Sequence, residues 1–501
     1  MSTKSGGSFG IHWFRRDLRV FGNAALQENL RRNQGRVLGL FCFDQAFLSR
    51  PDFSHNRFAF FLKTLEALRD ELRAQGGDLL VINELPLDAF PKLFHWFEKR
   101  EFGKPELVSF SRDYEPFARG RDEKVAALLE RQGVEFTIHR DHLILEPMEV
   151  MKSEKPGEYY RIFTPYSRKW FFEFSKPAIQ ARVAEQRGAQ AYLRKLEGGS
   201  LKDSFQLTWK DFLKTRDFPY QDAFAAFQKE NGKQVTVPIP EAGFKVAVQA
   251  LSRFKSSIER YGKDRDFPSI RGTSGLSIYF KNGSLTPSQA IAFLGLEEMT
   301  GKEKNSRTQF LKEIIWREFY YSILFHHPSV EKKSFLPKYE KLKWENNKAW
   351  LERWKNGTTG VPIVDAGMRQ LKTTGWMHNR VRMIVASFLT KDLLIDWRSG
   401  ERHFMKYLLD GDLAPNNGGW QWAASTGCDP QPWFRVFNPW LQGKKFDPDG
   451  TYIRKYVPEL EGMPLSHLHS ETADRTSWSY PKPVVDHATQ RKKSISLYRH
   501  A

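Results

Sequence analysis

Over the first 150 residues, short apolar runs alternate with amphipathic stretches of helical length, and this alternation leaves few folds open. The runs are Gly10–Phe14, 37–43 (VLGLFCF), Leu79–Ile82, Leu107–Ser111 and 134–139. Helical patterns lie between them at 56–75, which ends at Gly76-Gly77, and at 88–99 and 120–132. Apolar strands separated by helices specify a parallel sheet covered on both faces. A doubly wound α/β domain is therefore expected over 8–145. Beyond it the alternation stops. Pro147, Pro156, Pro165 and Pro177, with Gly198-Gly199, mark a connector over 146–210 with room for one or two helices. From 211 to 485 the pattern is helical, without convincing strand pairs or an internal repeat. The expected architecture is an α/β N-terminal domain with a doubly wound parallel sheet, followed by an all-α domain.

Composition narrows the function. At 501 residues the chain can bury a core in each of two to four units. Its only cysteines, Cys42 and Cys428, exclude a disulfide scaffold and suggest a reducing compartment. No apolar run is long enough to cross a bilayer, and residues 1–10 lack a secretory h-region, so no membrane role is expected. The excess of 78 Lys+Arg over 59 Asp+Glu, a formal +19, suggests a polyanionic partner. Of 15 tryptophans, 11 follow residue 310, and a basic, tryptophan-rich C-terminal half needs a reason. The usual signatures are missing: no G-x-G-x-x-G follows the first strand, and there is no P-loop, no G-x-S-x-G and no zinc-ligand spacing.

Three C-terminal segments carry unusual faces. In 307–326, Leu311, Ile315, Phe319 and Ser322 share one helical stripe, and Glu313, Trp316, Arg317 and Tyr320 another. The second stripe is either an exposed face with Glu313–Arg317 pairing, with Trp316 in the core, or a cleft wall. In 375–390, Val381, Ile384, Val385, Phe388 and Leu389 form the core stripe. Asn379, Arg382 and Met383 lie opposite, as a solvated face or a ligand wall. In 408–426, Asp410-Gly411-Asp412 and Asn416-Asn417-Gly418-Gly419 read as turns, followed at once by Trp420 and Trp422. Glycine there admits a flat ligand, and Asn and Asp can bond its ring N–H and C=O groups. Upstream, Tyr261 to Pro268 and Gly272 to Ser277 precede a helix, either as an ordinary N-cap region or as a place where hydroxyls and backbone N–H groups cradle phosphate.

Taken together with IHWFRRDLRVFGNAAL, RDFPSIRGTSGLS, EIIWREFYY, GVPIVDAGMRQLKTTGWMHNRVRM, DGDLAPNNGGWQWAASTGCDPQPWFRVFNP and QGKKFDPDGTYIRKYVPEL, these segments resemble the DNA photolyase/cryptochrome family over essentially the whole chain. The resemblance is closest to the class I cyclobutane pyrimidine dimer photolyases. It implies an N-terminal antenna domain, a C-terminal helical FAD domain and light-driven dimer repair in which reduced FADH⁻ lends an electron to a flipped-out lesion. Damaged DNA is the implied partner, held without sequence preference by a monomer, in the cytoplasm of a bacterium or the nucleus of a eukaryote. For FAD the resemblance implies Tyr261, Thr273, Ser274, Gly275, Leu276, Ser277, Arg382, Asp410, Gly411, Asp412 and Asn416, the last opposite flavin N5. For the lesion it implies Glu313, Trp316, Asn379, Met383 and Trp422, and for DNA also Arg265, Arg317, Tyr320, Arg380 and Gln442. Trp344, Trp397 and Trp420 match the family's electron-transfer tryptophans. No metal is implied.

The rival readings are a cryptochrome-type photoreceptor, a (6-4) photolyase and a non-enzymatic, tryptophan-rich nucleic-acid-binding protein. Asn416 and the pair Trp316/Met383 favour dimer repair over signalling, and Asn379 with Met383 stands where (6-4) enzymes typically carry His. For the second chromophore, folate-using relatives carry Asn-Glu where this chain has Phe117 and Ala118, which removes the usual folate contacts. Deazaflavin, FMN, folate or an empty antenna site stay open.

Overall fold

The computed structural model describes residues 8–501 apart from 44–47, 51–52, 154, 156 and 216. Pro156 and most of the N-terminal stretch read above thus lie outside the described residues. Five parallel strands, β1 (Gly10–Phe14), β2 (Val37–Cys42), β3 (Leu79–Ile82), β4 (Leu107–Ser111) and β5 (Glu135–His139), pair in the order β3-β2-β1-β4-β5. Side chains alternate between two separate cores. Ile11, Trp13, Leu38, Leu40, Leu80, Ile82, Val108 and Phe110 meet helices α3 (Pro86–Lys99) and α4 (Pro116–Arg131) on one face. Phe14, Val37, Phe41, Leu79 and Val81 meet α1 (Ala24–Arg32) and α2 (His55–Arg73) on the other. Only β5 is not fully buried, as suits an edge strand bearing Glu135 and His139.

The connector departs from expectation. It carries three helices, α5 (Phe163–Phe174), α6 (Pro177–Ala184) and α7 (Ala189–Glu197), where the sequence pattern allowed one or two. The prolines taken for breaks are starts: Pro177 is the first residue of α6 and Pro165 sits in the first turn of α5, where no intrahelical N–H is required. Packing also crosses the expected division at 211. Trp209 is fully buried and its Nε1 donates to the Gly39 carbonyl at 2.5 Å, while Phe212 closes the same side of the sheet.

The helical body is built on α8 (Ser306–His326). Buried Glu318 on α8 accepts from Trp170 Nε1 on α5 at 2.6 Å and from the backbone N–H groups of Ile144 and Leu145, so one carboxylate joins sheet domain, connector and helical body. At the other end, α14 (His487–Arg499) buries Tyr498 against Tyr339 and Leu342, so the body continues past the expected limit of 485. Among the described residues no strand follows β5, no helix is long and apolar enough to cross a membrane, and no cluster of His, Cys, Asp and Glu could hold a metal.

Candidate functional site

The helical body encloses a cavity of about 520 Å³. Its walls come from 261–280, α8, α10 (Asn379–Ser387), α11 (Trp397–Tyr407), the 408–412 loop and α12 (Leu413–Ala423). The two stripes of α8 separate cleanly. Leu311, Ile315, Phe319 and Ser322 are completely buried, while Glu313, Trp316, Arg317 and Tyr320 line the cavity. The i,i+4 pair Glu313–Arg317 does not form. Glu313 instead takes Arg265 Nη1 at 2.5 Å and Gln309 Nε2 at 3.0 Å, and Arg317 donates to the His142 carbonyl at 2.8 Å.

Much of the lining is polar. Arg382 Nη2 reaches both oxygens of Asp410, at 3.0 and 2.9 Å, and Ser277 Oγ donates to Asp410 at 2.7 Å. Asp412 is surrounded by Lys281 Nζ at 3.0 Å, the Tyr321 hydroxyl at 2.7 Å, Arg16 at 3.4 Å and Arg317 at 3.8 Å. Burial alone would raise its carboxyl. Lys281, Arg16 and Arg317 with the Tyr321 hydroxyl overcome that and hold it well below the usual carboxylate range. Arg16 comes from the turn after β1, and Arg57 of α2 donates to the Leu408 carbonyl at 3.1 Å, so the α/β domain grips both ends of the 408–412 loop.

Aromatic groups share the same space. Trp316 and Trp422 are part-exposed into the space, beside Tyr320 and Met383. Arg380 Nη2 bonds Asp266 at 2.7 Å, and its guanidinium covers the Phe446 ring at 4.5 Å. The helix expected from 375 begins at Asn379. Gly375, at φ +66°, terminates the preceding helix α9 (Pro362–Thr374), and the buried His378 ring caps α10 by accepting from Arg380 N–H at 3.2 Å.

Asn416 to Gly419 do not form the expected turn. They lie inside α12 despite two Asn and two Gly, because tertiary contacts override propensity. Asn417 Nδ2 bonds the Val330 carbonyl and the Glu401 carboxylate, both at 2.9 Å. A Cβ on Gly418 would lie 2.0 Å from the Tyr320 ring, so Gly418 permits helix packing, while Gly419 faces open cavity. Asn416 lines the cavity with its amide donating to the Glu401 carbonyl at 3.3 Å.

Tyr261, Ser274, Asn379 and Gly411 also line the cavity. Thr273 and Gly275 flank Ser274 without lining it, and the Leu276 side chain is wholly in the core, so only its backbone can serve a ligand. Gln442, on α13 (Pro439–Phe446), lies outside the lining. Of the three tryptophans matched to electron transfer, Trp420 lines the cavity, Trp397 is fully buried and Trp344 is part-exposed. Sequence reasoning missed Phe280, Phe310, Phe404 and Leu408, whose apolar periodicity is the same for a cavity lining as for a core.

The volume falls in the range of cofactor and ligand pockets, about 300–1,000 Å³. Its lining, which combines an Arg–Asp pair, hydroxyls and an amide with indoles, suits a flavin with a second flat ligand. Residues 10–184 match the family model described as DNA photolyase, and 310–500 the FAD binding domain of DNA photolyase. The chain is 37% identical to the deoxyribodipyrimidine photo-lyase of Alkalihalophilus pseudofirmus, covering 97% of each, and 36% identical to that of Escherichia coli, covering 98% of each. A bacterial class III photolyase from Agrobacterium tumefaciens superposes with a TM-score of 0.80 at 30% identity, over 100% of this chain and 99% of that one. An archaeal photolyase from Sulfolobus tokodaii, solved with two FAD molecules, gives 0.77 at 30%, over 98% and 100%. A match of this length and identity, over a cavity of this chemistry, places the chain in the DNA photolyase family.

Proposed function

We propose that the protein repairs cyclobutane pyrimidine dimers in DNA with blue light, using FAD held in the cavity. The observation that carries this reading is the cavity itself, whose lining combines the Arg382–Asp410 pair, Ser277 and Asn416 with the indoles of Trp316, Trp420 and Trp422 in one space. Tyr261, the 273–277 segment, Arg382, Asp410, Gly411, Asp412 and Asn416 hold FAD. Glu313, Trp316, Asn379, Met383 and Trp422 receive the lesion.

Held there by Tyr261, Ser277, Arg382, Asp410 and Asn416 in its reduced anionic form, FAD would supply the light-driven one-electron chemistry of dimer repair. The chain's own work is binding and orientation. Extruding a dinucleotide costs a few kcal/mol of lost stacking, and an aromatic side chain returns about 1–3 kcal/mol per base. Trp316 and Trp422 offer those surfaces. Glu313, fixed by Arg265 and Gln309, presents carboxylate oxygens to pyrimidine N–H groups. Arg265, Arg317, Tyr320, Arg380 and Gln442 hold the strand, and the excess of basic side chains holds phosphate without reading sequence. Trp420 in the cavity lining, buried Trp397 and part-exposed Trp344 serve as the relay that restores the reduced state. The protein works as a monomer, in whichever compartment holds the DNA.

Purified protein given dimer-containing oligonucleotide should show a flavin absorption band and restore intact pyrimidines under blue light only. Flavin without light-dependent repair would move the protein to the photoreceptor class, and no flavin band would refute the reading. A second chromophore in the α/β domain, whether deazaflavin, FMN or folate, would appear in the same spectrum.

A further inference from the structure

We infer that Phe163, in the connector, is a positioning residue for the lesion: it backs one face of Trp316 and leaves the cavity side of the indole for a pyrimidine. The inference rests on the reading above. The Phe163 and Trp316 rings lie 3.7 Å apart between centroids and within 5° of parallel. Aromatic pairs left to themselves choose offset or edge-on geometries over a near face-to-face stack. This one is imposed by the backbone. Phe163 is the first residue of α5, and its N–H donates to Asp429 Oδ2 at 3.0 Å. Asp429 sits at φ +43° on the loop leaving α12, the helix that carries Trp422. The Phe163 ring also meets Phe319 at 75°, and Phe319 in turn meets Trp316 at 79°. The indole is thus covered on one face by Phe163, met edge-on by Phe319 and approached by the tilted Tyr320 ring at 5.6 Å, and it lines the cavity with what remains.

A ring so held loses little further freedom when a base stacks on it. Removing the phenyl ring leaves space into which the indole can turn, so fewer molecules present the stacking plane and apparent lesion affinity falls by that fraction. Undamaged duplex, which places no base in the cavity, is unaffected.

The test measures dissociation constants of the FAD-loaded protein for dimer-containing and undamaged oligonucleotides. Phe163→Ala should lose about tenfold in preference for the dimer and Phe163→Leu, which fills the volume without a flat face, about threefold. The flavin spectrum and the affinity for undamaged DNA should stay as in the parent. In a Trp316→Ala background, Phe163→Ala should cost nothing further, whereas a purely structural role would add a second loss. Parental preference in both single variants would overturn the inference. So would loss of flavin in Phe163→Leu, which would show that the residue holds the fold and not the indole. A parent with no preference for dimers would instead refute the proposed function.

Discussion

Gly418 and Gly419 are neighbours in one helix, yet alanine should move stability in opposite directions at the two positions. A Cβ at Gly418 would stand 2.0, 2.3 and 2.5 Å from Cδ1, Cε1 and Cγ of Tyr320, against 3.4 Å for ordinary contact. The gap must open by about 1.4 Å (3.4 − 2.0). Cγ is the near end of the ring, so rotation alone cannot clear it and α8 and α12 must part. Overpacking of this kind costs about 3 kcal/mol, and about 1 kcal/mol of helix propensity gained from glycine offsets part of it. Gly418→Ala should therefore be about 2 kcal/mol less stable than the parent. At Gly419 no atom lies within 4 Å of the new methyl, so Gly419→Ala keeps only the propensity gain, up to about 1 kcal/mol. Its methyl enters the cavity, so flavin content should fall while stability of the flavin-free protein rises. Urea unfolding of both flavin-free variants beside the parent measures the difference, about 3 kcal/mol between adjacent residues. Equal midpoints, or a Gly419→Ala variant weaker than Gly418→Ala, would refute the packing argument.

Three further outcomes are expected. Burial and the nearby Arg382 push the His378 imidazole down to about 4, so the unfolded chain takes up its proton first. Stability from this cap is full above pH 6.5 and lost as pH falls toward 4, about 3 kcal/mol that His378→Asn should remove from the acid dependence of unfolding. Asp412 lies on the opposite side of the balance. Its cations keep it ionised in the folded protein below the unfolded value near 4, so the stability gap between parent and Asp412→Asn should stay constant from pH 7 to pH 4.5, and a shrinking gap would count against the ion cluster. Arg382→Gln leaves buried Asp410 with Ser277 as its remaining bonded partner. The loss, about 2 kcal/mol for a pair that is partly solvent-screened, should appear as reduced flavin retention on dialysis.

The sheet was legible in the sequence because both periods, strand and helix, repeat cleanly between Gly10 and His139, whereas its strand order was not, since a doubly wound sheet admits more than one. The stripes of α8 and α10 were legible from helical spacing, whereas the choice between solvent and cavity for the mixed stripe was not, because charge, amide, thioether and indole fit either until the facing helices are in place. The connector was misread because proline has two meanings, breaker and helix start, and only the local backbone decides between them. The 416–419 segment was misread because its residues favour turns in isolation, while Val330, Glu401 and Tyr320, which make it helical, are 16 to 98 positions away. Phe163 gave no signal. Its value lies in a ring 153 residues ahead in the chain, and no periodicity links the two.

Arg16 and Arg57 carry a consequence for the molecule's divisibility. The cavity sits in the helical half, yet two of the cations that fix its 408–412 loop are contributed by the sheet domain, one beside a carboxylate and one on a backbone carbonyl. Gly411 is shaped to that arrangement, since a methyl there would meet Arg57 Nη1 at 2.5 Å. The catalytic half expressed by itself would keep its helices and lose part of the charge balance that holds its own floor in place. Exchange of either half with that of a relative would have to carry these partners together. In this sense the sheet domain braces the active-site wall from behind whether or not it ever gathers light.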